Sequence, residues 1–331
     1  MSPRKAFSVA RGPGNRKELP CAADGSRFGV GLVSLFDRFF GKSTGADLAA
    51  ARLVANPDIE EPLSLQVLFP QALPLEAATL ARALSSFDRS MRNARCEIDD
   101  ELSREGKLFG LAGWDKHVIR FVGFDVQMPA AAVDACVAPA HYSAELKERA
   151  RANRAHVLLY YGGYDPAPLE QYVALAAVAA AFGKHGALVV LNESARTSLP
   201  IEILSEIGTR GKAIAMLREL PLPYLYCGFV KHEVEGVRGV WMRTYGAPRL
   251  GLPDFAAHAA GHDEGQRFFD IFDNVFRYVL QSGAKLGRGH TMEIGSQQYM
   301  RLRAPKISES FLVREGELFV LEIIGADEIN R

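Results

Sequence analysis

From Pro62 onward, apolar residues alternate between runs of strand length and stretches at helical spacing, a pattern that neither an all-helical nor an all-sheet fold accommodates. Leu63 to Phe69, His117 to Phe124 and His156 to Tyr161 are strand-length runs, the last ended by Gly162-Gly163. Between them Leu75, Leu80 and Leu84 recur at helical spacing up to Phe87. Pro129 opens a helix to Val137 at its first turn, and Ser143 to Asn153 is a charged helical stretch. With a further strand over 94–98, the order across 63–161 is β-α-β-β-α-β, which predicts a ferredoxin-like unit.

A second succession follows. Leu169 to Phe182 is an Ala-rich helix and Ala187 to Asn192 a buried strand, with helices around 200–207 and 211–219. Tyr224 to Val234 and Gly239 to Tyr245 are the arms of a predicted β-hairpin, and a helix is expected over 253–260. The strongest helix runs from Glu264 to Gln281. Phe268, Phe269, Phe272, Val275, Phe276, Val279 and Leu280 form its apolar face, and Gly283 stands where a C-cap glycine belongs. Strands near 290–294, 298–303 and 317–323 complete the pattern. The fold class is therefore α+β in two lobes. The first, 62–162, is ferredoxin-like; the second, 163–325, is a mixed, partly antiparallel sheet with packed helices.

The head of the chain has a different character. Residues 1–29 are rich in Gly, Pro, Arg and Ser without a hydrophobic period, so disorder is expected there, and Val30 or Val33 fits a natural start. Over 30–61 the sequence predicts an amphipathic helix and a linker. Leu32, Leu35, Phe36, Phe39 and Phe40 share one helical face, suited to the protein's own body, a partner or weak contact with a membrane surface. Eight Lys or Arg stand against Glu18, Asp24 and Asp37 in residues 1–45, yet Lys+Arg and Asp+Glu are 39 each over the whole chain. With no overall basic excess to displace counterions, nucleic acid is not an expected partner. The basic opening leads into Gly, Pro and Asn and not into the apolar core of a secretory leader, and no run approaches the roughly 20 apolar residues of a membrane span. The expected setting is the cytoplasm.

Cys21, Cys96, Cys136 and Cys227 are far apart and form no CxxC or Cys/His spacing, so free thiols are expected, with no metal and no cofactor. The richest polar cluster is His258, His262, Asp263 and Glu264, followed by His290 and Glu293. Two histidines four apart would share a helix face, as in half of a zincin motif, but no Glu follows His258, and Gly261 interrupts the helix. Asp263 with Gln266 reads as a capping box. The glycine patterns Gly110-Leu-Ala-Gly113-Trp114 and Gly208-Thr-Arg-Gly211-Lys212 lack the context of a phosphate loop. Asn192 to Ser198 ends a buried strand in polar residues, the kind of place that lines ligand clefts or caps the next helix. Tyr160-Tyr161, Tyr224, Tyr226 and Trp241 are at strand spacing and suit a core or a stacking face. No GxSxG elbow and no Cys with an activating His supply a nucleophile.

The segments Leu220 to Val230, Gly239 to Gly246, Ala260-Gly-His-Asp263 and Gly289-His-Thr-Met292 resemble the bacterial domain-of-unknown-function 4261 family over roughly residues 240–315, with the stretch from about 63 resembling the region that accompanies it. The resemblance brings no activity, substrate or cofactor with it, so its motifs mark positions and not roles. Two functions follow. The leading one is a non-enzymatic accessory or immunity-type factor that binds a protein partner or ligand. The alternative is an enzyme or small-ligand sensor whose cleft is built by Arg243, Tyr245, His262, Asp263 and His290, which requires those side chains to converge.

Overall fold

The computed structural model describes residues 52–329 except 74, 75, 104, 105, 296 and 297. The expectations for residues 1–51, including Cys21 and the face of Leu32, Leu35, Phe36, Phe39 and Phe40, lie outside the described residues. The expected alternation of elements is present as an α+β fold with two sheets.

The first sheet is antiparallel and has seven strands: β1 (Ser64–Phe69), β2 (Arg95–Ile98), β3 (Lys107–Trp114), β4 (His117–Phe124), β5 (Ala155–Tyr161), β6 (Val189–Asn192) and β7 (Thr197–Pro200). Their order across the sheet is β2-β3-β4-β5-β1-β6-β7. Helices α1 (Ala77–Phe87), α2 (Ala130–Val137), α3 (Ala144–Arg151), α4 (Pro168–Phe182), α5 (Ile201–Gly208) and α6 (Ala213–Arg218) accompany it. Alternate β1 residues explain the layering. Leu65, Val67 and Phe69 join the cluster that holds α1 and α4, while Leu68 joins Val133, Cys136, Val137 and Ala150 of α2 and α3 on the opposite face. Helix α4 is buried from Tyr172 to Phe182, which its Ala-rich, all-round apolar sequence requires.

The ferredoxin-like order is not what forms. A strand absent from the sequence reading, β3, joins β2 through β5 into an antiparallel meander, and among the described residues β1 pairs only with β5 and β6. Strand β3 was hidden by its glycines. A Cβ at Gly110 would lie 2.2 Å from the Phe121 ring and 2.5 Å from the Glu97 carbonyl, so glycine is needed here for strand packing. The sheet also runs past the division expected at 162–163, because β6 pairs with β1 and β7 with β6. One apolar cluster then continues from Leu63 through Tyr226, Phe255 and Phe272 to Leu321.

The second sheet is mixed, ordered β11-β12-β13-β10-β9-β8, with β8 (Gly228–His232), β9 (Val240–Tyr245), β10 (Asp254–Ala259), β11 (Thr291–Gly295), β12 (Gln298–Arg303) and β13 (Leu318–Gly325). Only the β10–β13 pair is parallel among the described residues. A short helix α7 (Leu222–Leu225) occupies the start of the expected hairpin. The helix expected over 253–260 is strand β10. Its alanines favour a helix locally, but β9 on one side and β13 on the other supply backbone partners, and tertiary pairing overrides propensity. Helix α8 (Gly265–Ser282) packs Phe272 and Phe276 on Phe255 at ring distances of 5.9 and 4.9 Å. Gly283 takes the left-handed conformation at φ 67° and its N–H reaches the Val279 carbonyl, as its position past the helix predicts. At the other end the Asp263–Gln266 capping box is not made. Glu264 accepts the Ala260 N–H at 2.8 Å, and Gln266 donates to Asp270.

Candidate functional site

Strand β9 divides its side chains between the two faces of the second sheet. Met242 and Thr244 lie on the side of α8, whereas Trp241, Arg243 and Tyr245 occupy the opposite face, beside Ala256, Leu318 and Val320. Across the ladder His232 stands opposite Trp241, and Ala256 opposite Arg243. Arg243 is 1% exposed, and its guanidinium lies 4.0 Å from the centre of the Tyr245 ring. A second guanidinium, that of Arg196, lies 4.7 Å from the same ring. Such contacts with an aromatic face are favourable, but they place two like charges together.

Arg196 comes from the other sheet, at the turn between β6 and β7. The turn is held by Asn192, which is fully buried. Its Oδ1 accepts from Ser194 Oγ and the Ala195 N–H, and its Nδ2 donates to the Leu225 carbonyl. Arg196 itself has φ 52°, a left-handed conformation that a non-glycine residue adopts only under constraint. Two glycines let the turn approach. A Cβ at Gly228 would stand 1.7 Å from the Ala195 carbonyl oxygen, and one at Gly246, where φ is 84°, would stand 3.1 Å from the Ala195 Cα.

Positive charge dominates the cluster. Tyr245 Oη and His232 Nε2 are 2.7 Å apart, and burial, reinforced by Arg243, Arg196 and Arg314, pushes the imidazole down to about 4. It is neutral at pH 7. The nearest acid, Asp254, is 3% exposed; burial raises its carboxyl to about 6 while Arg243 opposes the rise. Its Oδ1 accepts from Thr244 Oγ1 and the Ala247 N–H, and Oδ2 lies 4.0 Å from Arg243 Nη2, beyond hydrogen-bond length. Arg243 Nε and Nη1 and Trp241 Nε1 are buried with no hydrogen-bond partner among the described residues. Three such donors on one strand face are unusual, since buried polar groups are nearly always paired.

The five residues named from sequence fall in three places. Arg243 and Tyr245 stand together. His262 is exposed, 2.7 Å from Glu233, and its carbonyl accepts from Lys231; Asp263 shares its 3-10 turn, residues 262–264. His290 lines a separate open cavity of about 380 Å³ with Tyr278, Lys285 and Met292. The His258–His262 helix face does not exist, because His258 is on β10 with Nε2 2.8 Å from the Arg238 carbonyl. Among the described residues no group of three or more His, Cys, Asp or Glu side chains could hold a metal ion. Cys96, Cys136 and Cys227 are free thiols. In the sequence Arg196 stands out only within the polar strand end 192–198 and Trp241 only as an aromatic at strand spacing. His232 and Asp254 carry no sequence signal.

No helix among the described residues is long and apolar enough to cross a membrane. No curated protein and no solved structure matches the chain. Residues 243–316, which begin at Arg243 itself and run through β10, α8, β11 and β12, match the family model described as Domain of unknown function (DUF4261).

Proposed function

We propose that the protein is a non-catalytic binding protein of the cytoplasm whose second sheet grips an anionic group of its ligand or protein partner through Arg243, with Arg196, Tyr245 and Trp241 around it. The observation that carries this reading is the buried guanidinium with Nε and Nη1 unpaired among the described residues, on the same strand face as the unpaired Trp241 Nε1. Each buried donor left without a partner costs about 1–3 kcal/mol, and an oxyanion recovers that cost by accepting from several at once. A guanidinium fork matches carboxylate and phosphate oxygens in pairs. The neighbouring groups favour binding over catalysis: the carboxylate of Asp254 is engaged by Thr244 and Ala247, and the imidazole of His232 by Tyr245. The buried free thiols of Cys136 and Cys227 suit a reducing compartment.

The chain has two tryptophans, so Trp114→Phe leaves Trp241 as the sole tryptophan, read by excitation selective for indole. Titrating this variant with sodium phosphate, sulfate and acetate at fixed ionic strength, against chloride, should give a saturable change in emission with at least one oxyanion. Arg243→Gln in the same background should abolish it. Identical responses to all four salts would refute the assignment.

A further inference from the structure

A second cavity, of about 310 Å³, opens on the first sheet, where the β3–β4 turn meets the start of α4 and α6. That is the volume of a small-molecule site. Its floor is apolar, with Trp114, Val173 and Ala174 all nearly inaccessible to solvent. Its rim carries two ion pairs. Lys116 Nζ lies 2.8 Å from Asp165 Oδ2, and Arg218 holds both oxygens of Glu170, Nε at 2.5 Å and Nη2 at 2.8 Å. The turn that presents Lys116 is tight, with Asp115 in the left-handed region at φ 47°.

His117 also lines the cavity, its ring held by Tyr161: Nδ1 and the Tyr161 hydroxyl are 3.2 Å apart, and that hydroxyl accepts the Asp165 N–H at 3.0 Å. Burial holds His117 below its usual range, which favours the neutral imidazole. Lys116 has two N–H bonds beyond the one directed at Asp165. The rim therefore presents unsaturated donors beside carboxylates that are already neutralised.

This arrangement selects by charge type. An incoming cation that displaced Lys116 from Asp165 would leave the lysine uncompensated, and an incoming anion that drew Arg218 away would do the same to Glu170. A molecule bearing both charges interleaves with the rim and leaves every charge paired, while its apolar body covers the floor. We propose that this cavity binds a small zwitterion with an apolar side chain, the chemistry of a free α-amino acid, its carboxylate on Lys116 beside His117 and its ammonium on Glu170.

Isothermal titration calorimetry on the full chain tests this with L-alanine, L-leucine and L-phenylalanine. L-Leucinamide and 4-methylpentanoate, which keep only the positive or only the negative charge of leucine, serve as comparisons. Saturable heat is expected from at least one amino acid, with leucinamide and 4-methylpentanoate at least tenfold weaker than leucine if leucine is the ligand, and the matching amide and acid if it is another. Lys116→Gln and Glu170→Gln, both on the rim, should each weaken binding at least tenfold while leaving the circular dichroism spectrum unchanged. Absence of heat from all three amino acids, equal binding of a singly charged analogue, or undiminished binding by both variants would each overturn the proposal.

Discussion

Replacing His232 with glutamine is expected to change how stability depends on pH. Burial, with Arg243, Arg196 and Arg314 adding repulsion, lowers the imidazole from 6.5 to about 4. A group that stays neutral in the fold while its unfolded counterpart protonates contributes stability that is complete above 6.5 and is lost as pH falls through about 4. After allowance for solvent screening of a half-buried ring, that loss is about 2–3 kcal/mol. Asp254 acts in the opposite sense. Its carboxyl is raised from 3.8 to about 6, so the fold takes up a proton before the unfolded chain does, and stability is gained as pH falls through that interval. In the wild type the two effects oppose each other.

Glutamine at 232 keeps an acceptor for the Tyr245 hydroxyl and removes the titration, so only the gain from Asp254 remains in the variant. Urea unfolding of both proteins between pH 7 and 4 isolates the difference, because every other titrating group cancels in the subtraction. The difference in unfolding free energy should move toward the variant by about 2–3 kcal/mol across this range. A difference independent of pH would refute the placement of a neutral imidazole among guanidinium groups, and with it the positive field on which the anion reading rests.

Gly228→Ala should lower stability by about 2–3 kcal/mol, since a Cβ 1.7 Å from the Ala195 carbonyl forces the β6–β7 turn to retreat. The urea midpoint would report the cost, and a weaker oxyanion response of Trp241 would report Arg196 leaving the Tyr245 ring. Arg303→Met should loosen the 3-10 turn at 307–312, because Arg303 holds Glu309 through Nη1 at 2.5 Å and Nη2 at 2.7 Å and also reaches Glu322. Glu309 is 8% exposed, so stranding it should cost about 2–3 kcal/mol, with faster amide exchange over 307–312 as the local signature.

What could be read from sequence was what neighbouring residues decide. Length and spacing place β1, β4, β5, β6 and α8 within a residue or two, and Gly283 marks the end of α8, because strand runs, amphipathic periods and helix caps are local. Errors arose wherever distant contacts decide. The glycines of β3 look like a loop until Phe121 and the Glu97 carbonyl stand against them, and the alanines of β10 look like a helix until β9 and β13 flank them. The same distinction runs through the site. Arg243 and Tyr245 stand together because residues two apart on a strand share a face, whereas His262, Asp263 and His290, joined to them in sequence only through the segments that carry the family resemblance, lie on other elements.

Arg196 shows why the cluster as a whole was hidden. It lies 47 positions from Arg243 in the chain and reaches Tyr245 because Asn192 fixes its turn and because Gly228 and Gly246 leave room for Ala195. In sequence these glycines are indistinguishable from turn residues. In the fold they let two sheets approach closely enough to bring two guanidinium groups onto one ring, an arrangement that raises the electrostatic energy of the empty protein. Such a concentration of like charge is most readily maintained where an anion relieves it, so the steric requirement at two glycines and the proposed recognition at Arg243 are parts of one physical design.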